Sequence, residues 1–450
     1  MKVVIVGGGK VGEALCIDLA NSCDVVLIDK NQAVVENIFD QCDIQAVLGN
    51  GTDVNVQTEA GVKDADIFLA VSESDELNLV ACIIAKKLGA RHTMARVRNP
   101  QYSESVDFIK RSLEITTILN PEEEAAKTIS RNLKFPTALN VESFAGGKLN
   151  IVELELEKES VINGLSLTEV GKNLGSPLLV CIIEREGKVF IPSGSCCLMA
   201  GDKIHVLGDN EALAKFYSML GKSKKPISSA IMIGGGRVAY YLIKRLLQRK
   251  VDIKIIETDL ERAKFLASSF PEITVINADG TDQDVLEEEG IGNYEACIAL
   301  TGIDEENVIL SVFAKHRGVN KSIAKVSRTS MLKILGHFGI DSIITPKSIV
   351  SDQIIRFVRS IIAADNSPVE KLYRLAGRRV EAMQFLAGDD LKILDTKLKD
   401  LKTKENTLIA SIQRGRDLIL PNGESKILPK DHVIVVTTQE NIISLDDILV

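Results

Sequence analysis

Three glycines near the start of the chain, Gly7, Gly9 and Gly12, stand in G-x-G-x-x-G spacing within KVVIVGGGKVG (Lys2–Gly12). A β-branched apolar run precedes them and a helical pattern follows. That context gives each glycine a physical task. Gly7 allows a tight strand-to-helix turn, Gly9 lets backbone approach a diphosphate, and Gly12 lets the helix pack close to the strand. Amides of the helix start, around Gly8, Lys10 and Val11, then point at phosphate oxygens. The next apolar run, VVLID, ends on Asp29, where a carboxylate accepts hydrogen bonds from ribose hydroxyls. It would repel a 2′-phosphate, which argues against NADP and leaves NAD, ATP and ADP open. The competing reading is a glycine turn that binds nothing.

Arg96 and Arg98 alternate around Val97 at the end of another apolar run, so both project to one face. A pair of guanidiniums there matches phosphate oxygens and tilts the site toward a triphosphate, or toward accepting either ligand. Otherwise they are ordinary surface cations. No catalytic arrangement is visible. His92 lies between Arg91 and a strand pattern without a partnered acid or nucleophile. The eight cysteines form no C-x-x-C pair and read as reduced, mostly buried thiols, not as a disulfide framework or zinc site. The acids of SESDE (Ser72–Glu76) are accounted for by a helix start, whose dipole favours them, and no metal site is expected.

Composition narrows the function further. The chain has 450 residues and a formal net charge of −8, which disfavours nucleic acid as a partner. Tryptophan is absent, so aromatic platforms are not expected. No run approaches the ~18 apolar residues of a membrane span, and the first residues are a strand and a turn instead of a secretion signal. A cytosolic protein is expected, with any membrane role exercised through a partner.

The elements that must position these residues alternate. Strand patterns at 2–7, 24–29, 44–49, 65–71, 92–97 and 114–119 are separated by helical patterns at 10–20, 31–41 (with Asn31 as N-cap), 54–60 and 76–88. This predicts a doubly wound parallel sheet with its ligand crevice at the carboxyl ends of the strands. Gly7–Val11, Asp29, Gly51-Thr52, Ser72-Glu73 and Arg96-Val97-Arg98 all fall at those ends. A helix over 121–135, stopped by Pro136, should leave the sheet, where it is free to pair with another subunit. Residues 141–220 read as a small α+β lobe, and Lys222-Ser223-Lys224-Lys225-Pro226 as a linker.

The chain then begins again. AIMIGGGRVA repeats VVIVGGGKVG, with Gly234 in the place of Gly7. Gly280-Thr281-Asp282 repeats Gly51-Thr52-Asp53, Asn307 answers Asn78, and Pro421 in the second small lobe answers Pro192. The spacing is nearly constant over half the chain, so the protein is a tandem duplication. The expected fold class is α/β, with two Rossmann-like doubly wound sheets, each followed by a small α+β lobe. The units are 1–120, 121–221, a linker at 222–229, 230–346 and 347–450. The second site would use Gly234, Gly235, Gly236, Arg237, Val238, Glu257, Asp279 and Gly280. Ala239 takes the third glycine place, and the arginine pair becomes Lys325 and Ser327, with Arg328 next. Weaker phosphate charge is therefore expected in the second crevice, making it selective for NAD(H) or low in affinity.

The order GGGKVG, LID, GNGTD, AVSESDELNL, ARVRNP resembles the KTN/RCK nucleotide-binding domain found in regulators of potassium channels and transporters. The resemblance covers essentially the whole chain. Its double copy is similar to the peripheral regulators of Trk-type potassium uptake. What the resemblance implies is a non-enzymatic regulatory subunit that binds NAD(H) and ATP or ADP in its crevices. It also implies a homo-oligomeric ring, a tetramer, docked on the cytoplasmic face of a membrane-embedded Trk-type potassium-translocating subunit. The contacts it implies fall on Gly7–Val11, Asp29, Gly51, Thr52, Ser72, Glu73 and Arg98, and on Gly234–Val238, Glu257, Asp279 and Gly280. The rivals are an NAD-dependent oxidoreductase with a duplicated core and a nucleotide-sensing regulator of another cation transporter.

Overall fold

The computed structural model describes residues 1–103, 105–174, 177–221, 225–328, 340–362, 369–440 and 442–450, so Lys222, Ser223 and Lys224 of the expected linker lie outside the described residues. The first six strands are β1 (Lys2–Val6), β2 (Asp24–Asp29), β3 (Gln45–Leu48), β4 (Ile67–Ala70), β5 (His92–Arg96) and β6 (Thr117–Leu119). They form one parallel sheet in the order β3-β2-β1-β4-β5-β6. The order reverses between β1 and β4, which opens the crevice above their carboxyl ends. Val3, Val4 and Ile5 are wholly buried, because helices cover both faces of such a sheet. Those helices are α1 (Lys10–Leu19), α2 (Gln32–Phe39), α3 (Val54–Glu59) and α4 (Asp75–Leu88). Asn31 caps α2, its side chain accepting from the Ala33 amide.

Two helices after β5 have no counterpart in the sequence reading: α5 (Pro100–Ser103) and α6 (Val106–Ser112). Each is shorter than the window in which helical periodicity can be recognised. The strand expected from Glu114 begins only at Thr117, because Glu114 takes a left-handed conformation with φ 55°.

α7 (Pro121–Asn132) leaves the sheet. Asn120 caps it by accepting from the Glu123 amide, Pro121 opens its first turn, and three glutamates complement the helix dipole. The first small lobe contains β7 (Asn140–Phe144), β8 (Leu149–Glu155), α8 (Leu167–Leu174), β9 (Leu178–Arg185), β10 (Lys188–Phe190), β11 (Lys203–Asp209) and α9 (Asn210–Met219). Its antiparallel sheet runs β10-β9-β11-β8-β7. The short strand β7 and the eight-residue α8 were not foreseen.

The second copy repeats the plan. β12 (Ser229–Ile233), α10 (Arg237–Leu247), β13 (Asp252–Glu257), α11 (Leu260–Ser269), β14 (Thr274–Asn277), α12 (Gln283–Glu288), β15 (Ala296–Ala299), α13 (Asp304–His316), β16 (Lys321–Lys325) and β17 (Ser342–Ile344) build a second parallel sheet, ordered β14-β13-β12-β15-β16-β17. α14 (Pro346–Ile362) then leads to β18 (Val369–Leu375), β19 (Val380–Leu386), β20 (Thr407–Arg414), β21 (Asp417–Ile419) and β22 (His432–Thr437). These strands are ordered β18-β19-β22-β20-β21, the same topology as the first lobe.

The crossover helices exchange partners within the chain. Ala125, Ala126, Ile129 and Leu133 of the first crossover bury against Tyr241, Leu242 and Leu246 of α10. Reciprocally, Val350, Ile354, Ile355 and Val358 of α14 bury against Leu15 and Leu19 of α1 and against Met383 and Phe385 of the second lobe. The first crossover helix thus finds a matching helix on the same chain, supplied by the second copy. The two alanines allow close approach there. Ile354→Ala should lower stability by about 2–5 kcal/mol, read as a lower urea midpoint at unchanged slope.

The same contact carries charge. Arg374 of β18 lies 3.1 Å from Asp18 of α1, 3.8 Å from Asp352 of α14 and 3.4 Å from Glu381 of β19. Arg359 of α14 also binds Glu381, at 2.6 Å. Burial pushes the Asp352 carboxyl up to about 7, against the pull of Arg374 and Arg378. The two small lobes meet back to back through Phe144, Ile151, Ile182 and Leu207 on one side and Val380, Ala382, Ile434 and Val436 on the other. Among the described residues no helix is long and apolar enough to cross a membrane.

Candidate nucleotide-binding sites

The first crevice is a cavity of about 870 Å³. Gly7, Gly9, Lys10, Val11, Asp29, Gly51, Thr52, Ser72, Glu73, Arg96 and Arg98 all border it. The fold thus brings together residues spread over more than 90 positions of sequence. Gly7 has φ +99°, and a Cβ there would lie 2.8 Å from the Ser72 backbone. Gly12 has its packing role, since a Cβ would meet the Gly7 carbonyl at 1.9 Å. Gly9 faces open space, with nothing within 4 Å of an added Cβ. A diphosphate can approach there while Gly7 and Gly12 hold the turn.

Asp29 at the end of β2 ties the turn to the next helix. Its Oδ2 accepts from the Gly8 amide at 2.6 Å and its Oδ1 from the Asn31 amide at 2.8 Å. Gly8 itself is thereby turned toward Asp29. A carboxylate oxygen has a second lone-pair direction, so both oxygens can still receive ribose hydroxyls. The Gly51-Thr52 turn is shaped by Asn50, whose Oδ1 accepts from the Thr52 amide and hydroxyl at 3.1 and 3.0 Å.

Asn78, wholly buried on α4, joins the ends of β4 and β5. Its Oδ1 accepts from the Ser72 amide and hydroxyl at 2.9 and 2.6 Å, and its Nδ2 donates to the Ser72 and Arg96 carbonyls at 3.0 and 2.9 Å. Asn307 repeats the three backbone bonds with Thr301 and Lys325, while the Thr301 hydroxyl donates to the Ile303 carbonyl instead. A Leu at position 78 leaves those backbone groups unpaired in a buried place. Asn78→Leu should therefore cost about 1–3 kcal/mol of stability, measured by urea unfolding, and weaken ligand binding by displacing Ser72.

The two arginines are not equivalent. Arg98 is already partnered: its Nε lies 3.2 Å from Asp75 Oδ1 and its Nη2 donates to the Glu73 carbonyl. Asp75 also accepts from the Arg98 and Asn99 amides, each at 2.8 Å. Arg96 donates from Nη2 to the Ser72 carbonyl at 2.6 Å, and its Nε is buried without a hydrogen-bond partner. Burial and the neighbouring Arg98 hold its guanidinium below the usual value. An anion in the crevice would meet Arg96 together with Lys10 and Lys30, which border the same cavity.

The second crevice repeats the frame with different charges. Gly234 has φ +96° and Gly236 faces open space. Ala239 is wholly buried, so this turn takes a methyl group. Arg237 and Val238 open α10. Glu257 binds the Gly235 amide at 2.6 Å and the Asp259 amide at 2.8 Å, as Asp29 does in the first copy. Asp279, beside Gly280, stands where Asn50 stands. Hydrogen bonds from the Thr281 amide and hydroxyl hold its carboxyl low. Lys325 donates to the Leu300 carbonyl at 3.2 Å, while Arg328 is engaged by Asp304 and Glu305. Sequence reading missed Arg262. Its Nε donates to the Gly235 carbonyl at 2.6 Å and its Nη2 to the Gly236 carbonyl at 3.3 Å. The second turn therefore has a cation of its own, supplied by α11 instead of by the strand end. Only its position relative to the capping Asp259 could have signalled it.

The crossover contact links the crevices. Tyr241 of α10 donates to the Arg98 carbonyl at 3.1 Å, and Asn120 donates to the Tyr241 hydroxyl at 2.9 Å. Glu122, in the first turn of α7, has a buried Oε2 without a hydrogen-bond partner. Burial raises its carboxyl, opposed by Arg98, Arg96 and Arg237 from the two copies. Away from the crevices, burial pushes the Cys16, Cys181 and Cys297 thiols up to about 12, which makes them poor nucleophiles. Among the described residues, Glu153, Glu184 and His205 of the first lobe form a group of metal-ligand type. Arg379 already binds Glu184 there, at 2.6 Å.

Comparison with known proteins agrees with this architecture. The TrkA-N domain model matches residues 3–121 and 230–346, and the TrkA-C domain model matches residues 382–450. A Trk system potassium uptake protein TrkA homolog of Archaeoglobus fulgidus is 29% identical over 449 residues, covering 100% of both chains. The Trk system potassium uptake protein TrkA of Haemophilus influenzae is 28% identical, covering 97% of this chain and 95% of its own. Among solved structures, the GsuK channel bound to NAD superposes with a TM-score of 0.63 at 16% identity, over 98% of this chain and 77% of that one. With two TrkA-N matches that together span more than half its length and a TrkA-C match at its end, the chain belongs to the TrkA family of tandem nucleotide-binding-fold proteins.

Proposed function

We propose that the chain is a nucleotide-sensing regulatory subunit of a potassium uptake system, binding NAD(H) and ATP or ADP and gating a membrane-embedded Trk-type partner without chemical turnover. The observation that carries this reading is the pair of glycine crevices joined through Tyr241, Arg98 and Glu122. The named relatives support it, as does a neighbour described as a channel bound to NAD. The ligand contacts in this reading are the crevice residues expected from sequence in both copies, with Arg96 and Arg262 as the main phosphate-facing cations. The working units are 1–120, 121–221, 230–346 and 347–450, with 222–229 as linker.

A ligand moves such a machine only through its different affinity for two shapes. A triphosphate drawing on Arg96 pulls at the ends of β4 and β5, and α10 is tied to the same place by Tyr241. A dinucleotide spreads its charge differently and favours another arrangement. Ring assembly is part of the reading: Val80 of α4 and Ile309 of α13 occupy equivalent positions and are 43% and 67% exposed. Apolar residues repeated at one exposed place in both copies suit contacts between subunits. The proposed location is the cytoplasmic face of the membrane, held by the partner.

The test is calorimetric titration of NADH, NAD, ATP and ADP, together with potassium flux through the reconstituted partner at saturating levels of each. Binding with ligand-dependent flux is expected. Flux that is the same with every nucleotide would sink the reading, as would steady nicotinamide turnover.

A further inference from the structure

A second cavity, of about 560 Å³, lies apart from both glycine crevices. That size falls within the range of small-ligand pockets. It is built where four segments converge: the end of the first crossover, α9 of the first lobe, residues 226–228, and the end of α10. Its floor includes Phe135, Ala214 and Tyr217, the two aromatic rings lying 6.3 Å apart. The Tyr217 hydroxyl is buried beside Thr137 without a well-formed hydrogen bond.

The rim is cationic. Lys134, Arg249 and Lys250 border the cavity, and no carboxylate does among the described residues. Arg249 is the informative one. Burial holds its guanidinium below the usual value, with no acid offsetting the effect. The hydrogen bond described for its side chain runs from Nη1 to the Ser130 carbonyl at 2.9 Å. A half-buried cation without a counter-ion is unfavourable, and an anion seated beside it relieves that.

We infer that this cavity binds a small amphiphilic anion, with an acyl or aromatic body on the Phe135–Tyr217 floor and one carboxylate or phosphate held by Arg249 and the two lysines. The walls come from both copies of the duplication. A ligand here fastens the first small lobe to the second Rossmann unit. Because α10 begins at the second glycine turn, occupancy also bears on the shape of that crevice.

The chain has no tryptophan, so Phe135→Trp installs a single fluorescent reporter in the full-length protein. Decyl phosphate, kept below its micelle concentration, should shift the emission saturably, and calorimetry on the unsubstituted chain should give the same affinity. Arg249→Gln should weaken binding roughly tenfold or more, and Ala214→Leu should block it by filling the floor. If Arg249→Gln does not fold, Lys134→Gln with Lys250→Gln, two exposed changes, should still weaken binding several-fold. Vesicles of phosphatidylglycerol form the lipid arm. Their failure to compete assigns the ligand to soluble metabolites, and competition assigns it to the lipid class. Absence of saturable binding would overturn the inference. An equal response to inorganic phosphate, displacement by NADH or ATP, or unchanged binding in Arg249→Gln and Ala214→Leu together would do the same.

Discussion

Asp29→Ala is expected to weaken binding of every adenine nucleotide in the first crevice by roughly tenfold to a hundredfold, on the scale of one or two charge-assisted hydrogen bonds. The effect has two sources. The carboxylate supplies the acceptors for the ribose hydroxyls. It also fixes the turn, since its two oxygens hold the Gly8 and Asn31 amides at 2.6 and 2.8 Å. Asp29→Asn separates these sources, because the amide oxygen still accepts one bond while the charge is lost. Its affinity should fall between those of the wild type and Asp29→Ala. Arg96→Gln should instead discriminate between ligands, weakening ATP more than NADH, because its unused donor capacity matters most for the more highly charged phosphates. Glu257→Ala should act only on the second crevice. Calorimetry that returned wild-type affinity for Asp29→Ala would remove this carboxylate from the site.

Arg374→Met is expected to destabilise the chain by about 3–5 kcal/mol near neutral pH, the cost of removing one member of a buried ion cluster. Arg374 is 12% exposed and answers Asp18, Asp352 and Glu381 together. The loss should depend on pH. Asp352 has its folded-state value raised from 3.8 to about 7 by burial. The stability tied to its protonated form is fully present below the unfolded value and is lost as pH rises through the folded value. The remaining charge on Asp352 therefore needs Arg374 most at high pH. Urea unfolding at pH 5.5 and pH 8 should show a larger deficit for Arg374→Met at pH 8. In an Asp352→Asn background the Arg374→Met deficit should lose that pH dependence. Equal deficits at both values would show that the cluster does not titrate as described. Since Asp18 lies on α1, which begins directly after the glycine loop with Gly9 as its N-cap, the cluster also joins the first crevice to the second small lobe.

The parts of the fold with a strong local cause were legible in the sequence. Strands buried on both faces read as continuous apolar runs, as in Val3–Val6 and Ile67–Ala70, and glycine punctuates the turn after β1. Asn31 announces a helix start by the capping chemistry of its side chain, whereas the cap that Asn120 gives α7 emerged only in the structure. Elements without such a cause were missed. α5, α6 and α8 are too short for periodicity to accumulate, and β7 is a five-residue strand at the sheet edge.

The candidate site divides in the same way. By itself the sequence determined the duplication, the two doubly wound sheets, and the placing of Gly7, Asp29, Ser72 and Arg96 at strand ends, because strand-to-helix alternation sends all those ends to one side of the sheet. Only the tertiary structure decided how charge is distributed. It gave Arg98 to Asp75, left Arg96 with an unpartnered Nε, and laid Arg262 over the second glycine turn. It also decided that α7 and α14 pack across copies, so that Tyr241 reaches Arg98 over 143 positions of sequence. Side-chain pairing between distant segments depends on helix crossing and on burial. Neither is encoded in the local periodicity by which a strand or a helix declares itself.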